Sequence, residues 1–255
     1  MDDGVHPAYF DPMAAPFAHD SDAPDGVVLV HGWTGTPAHL RMLGGALADS
    51  GFAVNAPLLP GHGTRVEDLA GFGWRDWTRA VVASAQQVIE AGRRLHLVGL
   101  SMGGAICLLV APVMGAASVT TINAPMKVYS RRMWVAPLFR GSGRVLEEPP
   151  RVPPDAEALP YFQQYEGSPV GSIADLQDLM RAARRNLGAV TCPALVIQSG
   201  SDETVRPESG RIIYSGISST DKTLMWLDQS RHNALVDVER DLIHDAVLGR
   251  ISHAR

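Results

Sequence analysis

Apolar positions in this chain come in short unbroken runs separated by longer segments with helical spacing. Val27-Val28-Leu29-Val30 is such a run, ending in His31-Gly32, and it predicts a strand buried on both faces. Thr36-Pro37 then reads as an N-cap followed by proline at the first helical position, with Leu40, Leu43 and Leu47 on one stripe and Gly51 as the stop. The same reading predicts strands over 52–56, 95–100 and 118–122, with helices over 76–91 and 103–110. Strand and helix thus alternate from residue 27 to 122, the pattern of a parallel sheet covered on both sides. Alternation fails over 126–187, which holds Pro137, Pro149-Pro150, Pro153-Pro154 and Pro160 before a helix over 173–186. It resumes with strands over 194–199 and 223–227 and helices over 208–217 and 238–248. The first 25 residues, rich in Asp and Pro, read as an extended arm.

A length of 255 residues suits one α/β domain with a single insertion better than two domains. With 45% hydrophobic and 19% charged residues, the chain can bury a core and is not generally disordered. The net charge is -5 and no basic tract extends over an array of aromatics, which argues against a nucleic-acid partner. Cys107 and Cys192 have neither metal-ligand nor disulfide-scaffold spacing and read as packing residues. The opening MDDGVHPAYF lacks the charge and apolar run of a secretory signal, and no apolar run reaches membrane-spanning length. A cytoplasmic protein is the resulting expectation.

The sharpest chemical feature is Gly99-Leu100-Ser101-Met102-Gly103, placed between a predicted strand and a predicted helix. A pattern this short arises by chance, and it also fits a tight structural turn. In a nucleophile elbow, however, the serine sits on a strained strand-to-helix turn at the carboxyl edge of the sheet, where open α/β folds bind ligands. Serine also needs a base, and the base an orienting acid. His232 follows the last predicted strand and Asp202 the one before it, giving the order Ser101, Asp202, His232 expected of this architecture. His31 and His62 are the rival bases, but they precede the elbow and fit the oxyanion loop and the pocket wall. Asp228 is the rival acid and lies too close in sequence to His232. The His31-Gly32-Trp33-Thr34-Gly35 loop would contribute the Trp33 amide to an oxyanion hole, beside the amide of Met102.

These residues resemble the small bacterial carboxylesterase and monoacylglycerol lipase group of the α/β-hydrolase superfamily. The resemblance runs through V-L-V-H-G-W-T-G-T, R-M-L-G, P-G-H-G, G-L-S-M-G-G, N-A-P-M, the S-D-E turn with R-I-I-Y, and the His232 segment, and it is weakest over 126–171. It implies an α/β-hydrolase fold: a mostly parallel sheet with helices on both faces and a lid inserted after the sixth strand. The core would be 1–125 and 188–255, and the lid 126–187. It implies ester hydrolysis through an acyl-enzyme on Ser101, with Asp202 and His232 completing the triad, and no metal or organic cofactor. A thioesterase or acyltransferase could run on the same triad, and a non-catalytic ligand receptor could use the same pocket.

One departure concerns the residue before the catalytic histidine, usually Gly in the family and here Arg231. It predicts either a different loop or a cation at the pocket rim. Gly32, Leu100, Met133 and Trp134 are the expected substrate-binding residues, with Leu100, Met102 and the apolar lid residues favouring an apolar acyl chain. The expected partner is a small-molecule ester or a lipid. Lys127, Arg131, Arg132, Arg140 and Arg144 interleave with Met133, Trp134, Val135, Leu138 and Phe139, with no acidic residue from 127 to 146. The plain reading is a lid with solvated cations. The sharper one is a lid that touches anionic lipid weakly, without stable insertion.

Overall fold

The computed structural model describes residues 11–130, 136–139, 144–147 and 152–254. Seven strands form one sheet in the order β1-β3-β2-β4-β5-β8-β9. These are β1 (Phe17–His19), β2 (Asp25–Val30), β3 (Ala53–Ala56), β4 (Arg94–Leu100), β5 (Ser118–Ile122), β8 (Ala194–Ser199) and β9 (Lys222–Leu227). All neighbours are parallel except β1, which runs antiparallel to β3. The helices are α1 (Arg41–Asp49), α2 (Trp74–Glu90), α3 (Met102–Met114), α4 (Val170–Asn186), α5 (Glu208–Gly216) and α6 (Arg240–His253).

The continuous apolar strands reflect burial on both faces, and strand alternation divides their side chains between two cores. Val27, Leu29, Val98, Leu100, Ile122 and Ile197 face α1 and α6, against Leu43, Leu47, Ile243 and Val247. Val28, Val30, Leu97, Val119 and Val196 face α2 to α5, against Trp77, Val81, Ile106, Leu179 and Ile213. α3 lies between the sheet and its neighbouring helices, which is why it is apolar nearly all round. Cys107 packs inside this core and Cys192 at its margin.

Thr36 caps as expected, its hydroxyl accepting the Ala38 N–H, but the first turn is a short 3-10 helix over Pro37–Leu40 that runs into α1. Over residues 11–25 the N-terminal arm carries regular structure and is not simply extended. Asp11 caps a 3-10 turn, Arg41 donates to the Met13 and Ala15 carbonyls, and β1 pairs with β3. That pairing covers backbone groups that β3 would otherwise leave open at the sheet edge. Among its described residues the arm supplies only this one short strand. Among the described residues the insertion therefore leaves the sheet after the fifth strand, not the sixth.

The insertion carries a small antiparallel pair, β6 (Val145–Glu147) with β7 (Gly167–Pro169). Its helix α4 is not all cover. Leu179, Ala183 and Leu187 join the main core, whereas Ile173, Ala174 and Met180 form a separate cluster with Ala136, Val128 and Leu146. One side of α4 thus packs into the main core against α3, and another side packs into the cluster of the insertion.

Candidate active site

Ser101 stands between β4 and α3 with φ 53° and ψ -118°, a conformation that L side chains adopt only under strain. Its N–H donates to the Ile122 carbonyl (2.8 Å), which ties the turn to β5. The flanking glycines are needed because the chain passes too close for a side chain. A Cβ on Gly99 would overlap the Gly103 backbone, and one on Gly103 would overlap the Val30 carbonyl. Helix α3 starts at Met102, so the positive end of its dipole lies at the serine.

The loop after β9 brings His232 Nε2 to 2.9 Å from Ser101 Oγ. The loop after β8 brings Asp202 Oδ2 to 2.8 Å from His232 Nδ1. Asp202 Oδ1 also accepts the N–H groups of Thr204 and Val205, each at 2.8 Å. These donors fix the carboxylate, which holds Nδ1–H and leaves Nε2 as acceptor for the serine proton. Asp202 and His232 are both buried.

Gly32 runs alongside the nucleophile: a Cβ there would meet Ser101 Cβ at 3.3 Å. Thr34, at φ 61°, turns the 32–35 loop, and Gly35 N–H donates to the Gly32 carbonyl (3.2 Å). Trp33 and Met102 are therefore on the two segments that flank Ser101.

A cavity of about 410 Å³ opens onto Ser101 and His232. Trp33, Val128, Leu146, Ile173 and Leu176 form its contiguous apolar wall. Its polar lining includes Thr34, Gln164, Glu203 and Asn233, with Asn233 Nδ2 donating to Gln164 Oε1 at 3.1 Å.

Gly32 lines this cavity, but Leu100 does not. Its side chain points to the α1 and α6 core because strand alternation puts it on the sheet face with Val98. The Met102 side chain is likewise buried in the other core. Neither shapes the acyl pocket. Met133 and Trp134, like Arg131, Arg132 and Arg140, lie outside the described residues.

Among the rivals, His31 is buried and fully engaged, accepting the Leu59 N–H at Nε2 (3.1 Å) and donating from Nδ1 to the Gly32 carbonyl (2.9 Å). His62 packs edge-on against it at 4.9 Å. Neither lines the cavity; they form the floor beneath the Gly32 loop. Asp228 is exposed, and its backbone is held by Glu239 and by the Ser201 hydroxyl.

A second Ser-His-Asp array exists at the opposite end of the sheet. His96 Nδ1 lies 2.8 Å from Ser118 Oγ and Nε2 lies 3.1 Å from Asp25, which also pairs with Arg94 at 2.7 Å. Ser118, His96 and Asp25 are completely buried, so the array is closed to substrate. Burial opposes the charge on Asp25, yet Arg94 and His96 hold its carboxyl below the usual range.

Two supporting residues escaped the sequence reading. Asn123, at φ 49° just after β5, accepts the Ser199 N–H (2.8 Å) and donates to the His232 carbonyl (2.9 Å). Its only sequence signal is an Asn-Ala-Pro turn closing a strand. Glu239 accepts the N–H groups of Asp228, Gln229 and Ser230; burial opposes its charge, but these donors hold the carboxyl low.

Arg231 does not line the cavity and has no left-handed φ, so its position does not require glycine. Its guanidinium donates to the Val152 carbonyl at 3.0 Å and lies 3.5 Å from Asp237. The cation thus ties the loop to the insertion and does not stand free at the rim.

Residues 27–243 match the alpha/beta hydrolase family. The chain is 34% identical over 241 residues to a thermostable monoacylglycerol lipase of Bacillus sp. (strain H-257), covering 90% of this chain and 91% of that protein. It is 30% identical over 222 residues to a carboxylesterase of Bacillus subtilis (strain 168), covering 87% and 89%. A solved structure from work on the metagenome-derived lipolytic enzymes LipS and LipT superposes with a TM-score of 0.88 at 33% identity, over 95% of this chain and 98% of that one.

Proposed function

The chain belongs to the alpha/beta hydrolase family, and we propose that it hydrolyses carboxylic esters through an acyl-enzyme on Ser101. The observation that carries the residue assignment is the continuous chain from Ser101 to His232 to Asp202, at 2.9 and 2.8 Å, ending at the cavity. Ser101 Oγ attacks the ester carbonyl carbon while His232 Nε2 takes the hydroxyl proton. The carbonyl oxygen gains the negative charge, and the amides of Trp33 and Met102 hold it, helped by the N-terminus of α3. The intermediate collapses, His232 returns the proton to the alkoxy group, and the alcohol leaves. Water then attacks the acyl-enzyme with His232 again as base, and Ser101 regains its proton as the acid departs. Asp202 keeps the imidazole in the tautomer that both half-reactions use and stabilises the imidazolium.

The mixed lining supports an ester that joins an apolar acyl chain to a small polar alcohol, as a monoacylglycerol or a simple carboxylic ester does. Trp33, Val128, Leu146, Ile173 and Leu176 suit the chain. Gln164, Glu203 and Asn233, around His232, suit hydroxyl groups. Residues 126–187 act as the lid. Its basic stretch from Lys127 to Arg144 would draw it weakly to anionic lipid.

A fluorophosphonate probe should label the folded protein once, and Ser101→Ala should abolish both labelling and turnover of p-nitrophenyl esters, a fall of about 10⁴-fold or more in kcat. Turnover across acyl lengths, beside monoacylglycerols, would define the substrate. Folded protein that neither labels nor turns over any ester in the series would refute the reading.

A further inference from the structure

We infer that Arg231 is a positioning residue that couples the lid to the catalytic histidine, so that His232 is aligned for reaction only while the 152–164 segment is seated. The inference rests on the ester-hydrolase reading above and extends it to what holds the base in place.

His232 sits on the loop between β9 and α6, and the residues on either side of it both reach the lid. Arg231 Nη2 donates to the Val152 carbonyl (3.0 Å), and Asn233 Nδ2 donates to Gln164 Oε1 (3.1 Å). At the start of α6, Arg240 pairs with Asp155 (2.8 Å) and Glu157 (2.6 Å) on the same segment. The loop carrying the base and this part of the lid are thus tied together in several places along one edge.

Arg231 is anchored at both ends. Its own N–H donates to Asp237 Oδ2 (2.8 Å), its Nε lies 3.5 Å from the same carboxylate, and its Nη2 holds the lid backbone. Only a guanidinium has donors spaced to serve both partners at once; a lysine ammonium is a single point at the end of its stem. Displacing Val152 by about 1 Å would stretch its 3.0 Å bond beyond hydrogen-bond range. The resulting pull on Arg231 acts one peptide from His232. The Nε2 to Ser101 contact of 2.9 Å has little tolerance, since misplacement of about 1 Å can cost 10²-fold in rate. Arg231 does not line the cavity, so its influence on the reaction is indirect.

The test compares the full chain with Arg231→Ala, Arg231→Lys and Arg240→Ala, each checked for native circular dichroism. Arg231→Ala removes the tie to Val152 but keeps the backbone N–H to Asp237. Its fluorophosphonate labelling rate and its kcat should fall together by about three- to tenfold, the scale of the net contribution of one solvent-exposed hydrogen bond. The fall should be as large for p-nitrophenyl acetate as for the laurate, with KM for the acetate unchanged within twofold. Hydrogen exchange over 152–164 should accelerate, and Arg231→Lys should recover part of the rate. Arg240→Ala should loosen the same segment and slow labelling in the same direction.

Labelling of Arg231→Ala at the wild-type rate would overturn the coupling, as would a change confined to KM for the long-chain ester. Faster exchange in Arg240→Ala with undiminished labelling would overturn it too. Wild-type protein that does not label would instead remove the ester-hydrolase reading on which the inference stands.

Discussion

Acid should destabilise this protein before its carboxylates begin to titrate, because two neutral imidazoles are sealed beneath the Gly32 loop. Burial drives the His31 pKa from 6.5 down to about 4, against a raising effect of the Gly32 carbonyl. Burial also pushes His62 well down, and the neighbouring His31 adds to the shift. A histidine whose folded pKa is depressed takes up its proton first in the unfolded chain. Its neutral form therefore supports the fold fully above pH 6.5, and that support is lost as pH falls from 6.5 towards 4. For His31 alone the loss is about 2 kcal/mol at pH 5 and about 3 kcal/mol below pH 4, at 1.36 kcal/mol per unit. His62 acts in the same direction. Asp25 and Glu239 contribute in the opposite range, since their depressed pKa values are felt only below the ordinary carboxylate values. Burial lowers His244 as well, so the wild-type curve alone does not assign the slope.

His62→Phe supplies the assignment. It keeps a ring in the site, and the Pro60 carbonyl that His62 contacts still accepts from Trp77 Nε1 (3.1 Å). Urea unfolding midpoints at intervals from pH 7.5 to 5 would be read for both proteins, with m-values checked for constancy. Wild type should lose about 2 kcal/mol or more over that range, and His62→Phe distinctly less. A flat wild-type profile, or an unaltered slope in His62→Phe, would refute the reasoning.

Two further outcomes follow from the packing around the site. Gly103→Ala should cost about 3 kcal/mol or more, read as a large drop in thermal midpoint or loss of soluble protein, because its Cβ would overlap the Val30 carbonyl backbone. Asn123→Gly keeps the positive φ but removes a buried amide that serves Ser199 and His232; it should cost about 1–3 kcal/mol by urea unfolding and lower kcat more than it changes KM.

The main sheet strands were legible almost to the residue because fully buried strands must be continuously apolar between polar turns. The strand over 118–122 and that over 194–199 have those bounds in the structure. The edge strand β1 was not legible, since three residues of an exposed arm carry no burial pattern. The β6–β7 pair was hidden for a similar reason, its partners being 20 or so residues apart in a proline-rich stretch with no helical or strand period. Within the site, Ser101 announces itself through the glycines its turn demands, and Asp202 and His232 through their places after successive strands. Leu100 and Met102 misled because being next to the nucleophile in sequence says nothing of which sheet face receives a side chain.

The sequence by itself determined where the candidate site lies: a serine on an elbow, an acid and a base in the right order, and strands apolar enough to bring all three to one edge. Those are local requirements, imposed by short-range sterics and by burial, and so they leave marks on neighbouring residues. Only the tertiary structure decided how the base is held. Asn123, Glu203 and Glu239 reach the 228–232 loop from other elements, and Arg231 and Asn233 join it to the lid. A polar side chain of this kind satisfies a partner about 10 to 110 residues away, and the partner leaves no pattern around it in the sequence. Arg231 shows the difference most clearly: along the chain it is a cation where the resembled family has a glycine, and in three dimensions it is the tie between the insertion and the 228–232 loop.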